Sequence, residues 1–425
     1  MKILHVTPHL GGGVGKAHAA LRNALPKQVE QTFVLLEKPR DRRYADVIEA
    51  GGAQVVVAAE AGGLRGVAEF ARAADIVQFE FWNHPRMFEY LARCDFSAMR
   101  SVFWSHISGL APPVIQPALI EQSARFVFTT EASRGNPSVA MLPDSAQRKI
   151  RVVNSGFGFA DAPQPKRTPG KAPAIAYLGT VDFIKMHPGF FDAVDALSGD
   201  VRVSVWGEAD PSVTERAAAM RHPERIRFLG PAADPAAALS EADIFFYPLQ
   251  RDHYGTAENA LVEAMSLGLA PVVLDNPAEM AIVRHGETGL VARSVEDCTV
   301  LLQTLLASPD LRGMLSRNAA RYAAEVLTPA RSAEQFLSLW QEVIAEAPSR
   351  RDFRRAIGDT PADWFLATRC LPGETWDLSQ EAQSERRSKG MLAHFRSAFP
   401  GDASLSRLAD DPANSTRRAA HTKVG

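Results

Sequence analysis

Cysteine is scarce in this chain. Cys94, Cys298 and Cys370 are the whole supply in 425 residues, and three thiols so far apart make neither a disulfide framework nor a Cys-x-x-Cys pair for zinc or redox chemistry. A reducing, cytoplasmic setting is the expectation. A membrane-spanning run is missing as well. The uncharged stretch Ile107 to Ile120 contains three prolines and falls short of the roughly 18 apolar residues that cross a bilayer. The opening Met1 to Pro8 is too short and polar to read as a signal peptide. An excess of one charge is also absent. With 47 basic and 49 acidic residues the formal net charge is −2, so no global positive field points to nucleic acid as a partner.

What is present is ordinary globular usage, 46% apolar and 23% charged, on a chain too long for one hydrophobic core, so two or three domains are expected. Short β-branched or aromatic runs alternate with Ala-, Leu- and Arg-rich helical stretches, the pattern of βα units on a parallel sheet. The first set of candidate strands is Lys2–Thr7, Thr32–Leu36, Gln54–Val57, Asp75–Phe79, Ser101–Trp104, Phe126–Thr129 and Arg151–Val153. A proline-rich stretch at 161–173 reads as a linker. The rhythm then restarts with Ala174–Leu178, Arg202–Trp206, Arg225–Leu229, Asp243–Tyr247, Pro271–Leu274 and Gly289–Ala292. Helical periodicity from Pro329 to Ala347 stops at Pro348. The expected division is therefore 1–160, linker 161–173, 174–347, and an extension at 348–425 whose apolar islands (Phe353, Trp364 to Leu366, Trp376, Met391, Phe395, Phe399) suggest helices packed on a domain. Two tandem α/β domains leave a cleft, a usual place for a ligand.

The run Gly11-Gly12-Gly13-Val14-Gly15-Lys16 joins the first strand to a helix. Glycines there free backbone amides at a helix N-terminus, which suits an anion, and a tight turn is the other reading. A P-loop fails, because Leu10 and Ala17 stand where a glycine and a hydroxyl are needed. A dinucleotide fingerprint fails at Lys16, although Glu37 ends the second strand about where a ribose-binding acid lies.

From Asp243 the chain runs strand, loop, helix, Gly268 stop and strand, with Asp252-His253-Tyr254-Gly255-Thr256-Ala257-Glu258-Asn259 leading from the loop into the helix and Glu263 further along it. This block resembles the donor-binding signature of the group 1 retaining glycosyltransferases (glycosyltransferase family four). Pro277-Ala278-Glu279 to Val283, the Gly286 to Val291 turn, Tyr177-Leu178-Gly179 with Lys185, Val205-Trp206-Gly207 and Phe228-Leu229-Gly230 follow in family order. In the first part the Gly-rich loop, Trp104-Ser105-His106-Ile107-Ser108-Gly109 and Val152 to Gly156 agree. The resemblance covers roughly residues 1–345. It implies an α/β fold of two doubly wound Rossmann-like domains (GT-B) facing a cleft, with a mainly helical C-terminal extension outside the match.

The resemblance also implies roles. A nucleotide-sugar donor is a substrate, so no cofactor is expected, and no metal. Glu263 falls where the ribose-binding acid belongs, and Lys185 is one member of the basic pair that holds the diphosphate. The other member is replaced by Thr180, with Arg251 or His253 as substitutes. The sugar-orienting acid is replaced by Gly255, with Glu258 or Asp252 as substitutes. His106 positions the donor sugar, and His106, Lys185 and Glu258 form the catalytic set. Gly12, Gly13, Gly15, Arg251, His253, Tyr254, Gly255, Thr256, Glu258, Asn259 and Glu263 join Lys185 as donor-binding residues.

Taking Thr256 as the helix N-cap puts Glu258 in the first turn, where the helix dipole alone favours a carboxylate. Glu258 and Glu263 are then about 140° apart around the helix, which argues against a glycosidase pair. Arg40, Arg42 and Arg43, with the apolar loop Leu110 to Ile120, offer a surface for peripheral membrane contact and a lipid-linked acceptor; solvated arginines and a packed loop are the alternative. The reading is a retaining glycosyltransferase acting on a glycan, lipid-linked or small-molecule hydroxyl, cytoplasmic or peripheral at the inner membrane face. A non-catalytic sugar-nucleotide-binding relative and, behind it, a sugar-nucleotide epimerase are the rivals.

Overall fold

The computed structural model describes residues 1–156, 172–376, 390–410 and 417–418. Every strand expected from the sequence forms, with ends moved by no more than two residues. In the first unit these are β1 (Lys2–Thr7), β2 (Glu30–Leu35), β3 (Gln54–Val57), β4 (Ile76–Phe81), β5 (Ser101–Ser105), β6 (Arg125–Phe128) and β7 (Ile150–Val152). They make one parallel sheet in the order β3-β2-β1-β4-β5-β6-β7. β4 is buried at all six positions, as a central strand covered on both faces by crossover helices must be.

The second unit repeats the plan with β8 (Ile175–Leu178), β9 (Val203–Trp206), β10 (Ile226–Gly230), β11 (Ile244–Tyr247), β12 (Ala270–Leu274) and β13 (Leu290–Ala292). Their order is β10-β9-β8-β11-β12-β13, again parallel. In each sheet the strand order reverses at one point, between β1 and β4 and between β8 and β11. A doubly wound sheet binds ligands outside the carboxyl ends of its strands at such a reversal.

The division differs from the expected one at its C-terminal side. The units are Met1–Asn154 with Ala333–Gly425, and Ser155–Ser332, so the helix Pro329–Ile344 belongs to the first unit from Ala333 onward and the second does not extend to 347. The reason is packing. Phe336, Leu339, Trp340 and Val343 are buried; Phe336 lies edge-on to Trp104 at 4.8 Å, and Nε1 of Trp340 donates to Oε1 of Gln78 at 2.9 Å on β4. The expected linker lies outside the described residues through 171.

Nor does the extension stand alone. It supplies the helices Arg354–Ile357, Pro361–Leu366, Leu392–Ala398 and Ala403–Asp410, and Phe353, Trp364, Phe365, Phe395, Leu405 and Leu408 join one core with Phe79, Phe88 and Phe103. Its apolar islands are thus first-domain core residues supplied from a distance along the chain. The same segment packs on the loop offered as a membrane-contact surface, as the packed-loop alternative expects. Residues Pro113 to Pro117 are buried, Val114 donates its amide to the Thr368 carbonyl, and Gln116 Nε2 donates to the carbonyls of Ala367 and Cys370 at 2.7 Å each. Arg42 pairs with Asp46 and Glu49, and Arg43 with Asp41, so these arginines are locally neutralised. Among the described residues no helix is long and apolar enough to cross a membrane.

Candidate functional site

In the second unit the polar groups gather at the carboxyl ends of β8 and β11. Lys185 is anchored in the turn after β8: its amide donates to the Asp182 carbonyl, and its own carbonyl accepts from the Gln250 amide beyond β11. Its Nζ lies 2.9 Å from Oε2 of Glu258 and 5.7 Å from the centre of the Tyr247 ring. The Tyr247 hydroxyl donates to the same oxygen at 3.0 Å. Both partners are charged. Burial works against the ammonium, but Glu258 foremost, with Tyr254 and Tyr177, raises the Lys185 pKa above the usual lysine range. For Glu258 burial again opposes ionisation, and Lys185, then His253, hold the carboxyl below its ordinary value.

The other oxygen of Glu258, Oε1, is buried without a hydrogen-bond partner. An ionised carboxylate can only accept, and the ring nitrogen beside Oε1, Nδ1 of His253 at 3.7 Å, itself accepts from the Gly255 amide, so Oε1 is open to a donor group.

Local backbone explains how Glu258 reaches this position. It has φ 37° and ψ 57°, the left-handed region that a non-glycine residue enters at about 1–2 kcal/mol, and it is the sole such residue among those described. The expected N-cap at Thr256 is therefore corrected. The helix is Asn259–Ser266 and Glu258 itself is its N-cap, so the amides of 255 to 257 are not a helix N-terminus; that of Gly255 donates instead to Nδ1 of His253 at 3.0 Å. This bond fixes the imidazole proton on Nε2, which faces Glu279 at 3.3 Å. Glu279, fully buried, also accepts from Asn276 Nδ2 at 3.2 Å.

His253 thus joins the network while Arg251 does not. The Arg251 side chain is 66% exposed and pairs with Asp275 at 2.9 Å, because the loop turns it outward. Asp252 is exposed, Tyr254 and Asn259 are half-buried, and Thr256 is buried. Glu263 is buried within the helix. Thr180 offers no charge, and its carbonyl accepts from the Tyr177 hydroxyl at 2.7 Å. Sequence reasoning passed over Glu279, Asn276 and Tyr247 as site members. The available signal was position, since Tyr247 ends β11 and Asn276-Pro277 follows β12 at the same edge.

In the first unit Gly12 and Gly13 are exposed at the start of the helix Gly12–Ala24, which has no side-chain cap. Gly15 has a packing reason: a Cβ there would lie 1.9 Å from the Leu10 carbonyl oxygen. Glu37 is engaged by His84 at 3.5 Å and Arg86 at 3.9 Å, with His84 the main cause of its lowered pKa.

His106 follows β5 and turns Nε2 toward Oε2 of the fully buried Glu80, at 2.9 Å. His5 Nδ1 reaches Oε1 at 2.9 Å, His18 Nε2 lies 2.9 Å from Oε2, and Gln78 Nε2 donates to Oε1 at 3.0 Å. Ligand atoms of His5, His18 and Glu80 lie within 4.8 Å of one another, a spacing that invites a cation. Proton positions argue otherwise. Arg22 NH1 donates to Oε1 of Gln31 at 2.9 Å, and arginine has no acceptor, so Gln31 turns its amide nitrogen to Nε2 of His5 at 2.8 Å. That ring nitrogen must accept, the His5 proton sits on Nδ1, and a protonated nitrogen is not a metal ligand. His5 and His106 are hydrogen-bonded to the carboxylate, while His18 approaches Oε2 with neither ring nitrogen hydrogen-bonded.

Residues 172–308 match the family model described as "Glycosyl transferases group 1". No curated protein sequence matches the chain at a significant level. Among solved structures, a glycosyltransferase from Rickettsia africae ESF-5 is 12% identical, covering 81% of this chain and 99% of that one at TM-score 0.65. Anabaena Alr3699/HepE in complex with UDP and glucose is 15% identical over 80% of this chain and all of that one, at TM-score 0.64. Staphylococcus aureus TarM, in complex with fondaparinux, α-GlcNAc-glycerol and UDP, is 9% identical over 81% of this chain and all of that one, at TM-score 0.64. Two parallel sheets with one reversal each agree with the neighbours' fold: the chain has the two-sheet GT-B fold, and residues 172–308 within its second unit match the group 1 glycosyltransferase model.

Proposed function

We propose that this protein is a retaining glycosyltransferase that moves a sugar from a nucleotide-sugar to a hydroxyl of a glycan or related acceptor without a metal ion. The observation that carries the reading is the buried pair Lys185–Glu258, with Oε1 of Glu258 making no hydrogen bond, at the carboxyl edge of the group 1 domain. Breaking the anomeric bond of a nucleotide-sugar leaves a diphosphate, so positive charge must meet the growing negative charge. Lys185 supplies it. Oε1 of Glu258 accepts a sugar hydroxyl and Oε2 keeps the ammonium in place. Glu263 takes the ribose hydroxyls. The leaving diphosphate takes the acceptor proton, which dispenses with a protein nucleophile, and His106 helps position the donor sugar. The UDP and UDP-glucose complexes of HepE make uridine nucleotides the first donors to try.

A second reading rests on Thr180. With that position uncharged and Arg251 paired to Asp275, Lys185 is the one cation of the buried network among the described residues. A binding protein without turnover would look the same. Calorimetric titration of the full chain with UDP-, GDP- and ADP-sugars, followed by donor hydrolysis without acceptor, separates the two. Binding with slow hydrolysis supports the transferase, and binding with none supports the non-catalytic relative. Unchanged donor affinity in Lys185→Ala would sink the phosphate assignment.

A further inference from the structure

The buried network of the first unit ends on one ring with access to solvent: His106, whose side chain is 10% exposed against 0% for Glu80. We propose that Glu80 is the positioning residue for His106, holding it as the Nε2–H tautomer so that Nδ1 is left to accept a hydrogen bond from a hydroxyl of the bound sugar. The inference rests on the reading of His106 as a donor-sugar contact.

Strand register brings the parts together. Parallel pairing places His5 beside Gln78 and Glu80 beside Trp104, and side chains two apart on a strand share a face. Gln78, Glu80, Trp104 and His5 therefore line one face, and His106 continues it just past β5. Proton positions then follow in sequence. Arg22 sets the Gln31 amide, Gln31 sets His5, and His5 donates to Oε1 of Glu80. Burial is the largest influence on Glu80 and opposes its charge, but the histidines around it hold the carboxyl well below its ordinary value. As a carboxylate it can only accept, so Nε2 of His106 must donate.

The ring has little freedom to do otherwise. Trp104 lies 4.7 Å from it and Trp82 6.2 Å, centre to centre, and the His106 amide donates to the Phe81 carbonyl. Charged or titratable groups facing it are Glu80 on β4 and His18 on the helix Gly12–Ala24, with His5 on β1 behind Glu80. Burial, the largest influence, lowers the His106 pKa; Glu80 raises it and His18 lowers it. The ring is therefore neutral at pH 7 and Nδ1 is an acceptor. An unprotonated nitrogen takes a hydroxyl and has nothing to offer a phosphate oxygen, which cannot donate either. His106 so placed selects a sugar hydroxyl over the diphosphate, through a second-layer carboxylate of the kind that orients histidines elsewhere.

The test begins with the intact wild-type chain. In 15N-histidine-labelled protein at pH 7.5, with His106 assigned by His106→Gln, the expected signal is protonated Nε2 and unprotonated Nδ1. An Nδ1–H tautomer or a doubly protonated ring overturns the proposal, and this arm needs no mutant of Glu80. In Glu80→Gln, kcat for UDP-glucose hydrolysis is expected to fall on the order of tenfold with KM nearly unchanged. The acid limb of kcat should also move to lower pH, because His106 loses the group that favours its protonation, an effect that simple loosening of the fold does not produce. Adding His106→Ala should cost little more. If His106→Ala is impaired while Glu80→Gln keeps wild-type kcat and pH profile, the proposal fails. If His106→Ala itself matches wild type, the His106 reading fails and takes the proposal with it.

Discussion

A Cβ on residue 255 would lie 2.1 Å from Oε1 of Glu258. Position 255 is where the family resemblance expects the sugar-orienting acid, and the space its side chain would need is already filled by a carboxylate that arrives from three residues later. Gly255→Ala should therefore displace Glu258. Donor hydrolysis is expected to drop tenfold or more, as it does when a positioning group moves by about 1 Å, with a lower thermal midpoint. An alanine variant with wild-type kcat would mean that the carboxylate can shift aside without consequence.

Removing Lys185 leaves Glu258 buried and unpaired. Breaking such a pair from one side costs about 3–5 kcal/mol, so Lys185→Met should lower stability by roughly that much in urea titrations. Lys185→Met with Glu258→Gln should regain most of the stability, because no charge is left stranded, and still bind UDP-glucose poorly. Recovered donor affinity in the double variant would show that the pair serves the fold alone.

The strands were legible because each is a short apolar run between turn signals, and both sheets followed from that rhythm. The grouping of the candidate site was legible only in part. A motif fixed the order of Lys185, Glu258 and His253, which the fold brings together, but Arg251 points away toward Asp275 because a loop residue's direction depends on a turn no periodicity encodes. The left-handed Glu258 was invisible for the same reason: Thr256 is the better N-cap by type, and the ion pair with Lys185 overrides it. The C-terminal islands were read as helices packed on a domain, without saying which one, since nothing local says that Trp364 packs in a core built from residues more than 200 positions earlier.

Acid should destabilise this protein earlier than carboxylate titration alone would. His5 is lowered to about 4, chiefly by burial, against an unfolded value near 6.5. The native state holds it neutral, the unfolded state binds the proton, and stability falls as pH drops from about 6.5 to about 4. The loss from this group is on the order of 3–4 kcal/mol, at 1.36 kcal/mol per pH unit. Thermal midpoints measured from pH 7.5 to 4.5 should slope downward from about pH 6.5, and His5→Asn should start lower and slope less. Parallel slopes in the two proteins would assign the acid sensitivity elsewhere.

The C-terminal segment is a structural part of the first unit, and its removal should be felt there. Trp364 is fully buried; its Nε1 donates to the Gly358 carbonyl at 3.0 Å, the Arg93 guanidinium lies 5.0 Å from its ring centre, and Phe399 packs edge-on at 5.4 Å. Truncating such a side chain costs about 3–5 kcal/mol. Trp364→Ala is therefore expected to unfold at markedly lower urea. A chain ending at residue 348 would expose Phe79, Phe88 and Phe103, and leave Gln116 without its two carbonyl partners. It should aggregate on expression. A truncated chain that stays monomeric with an unchanged midpoint would make the extension an appendage instead of a wall of the core.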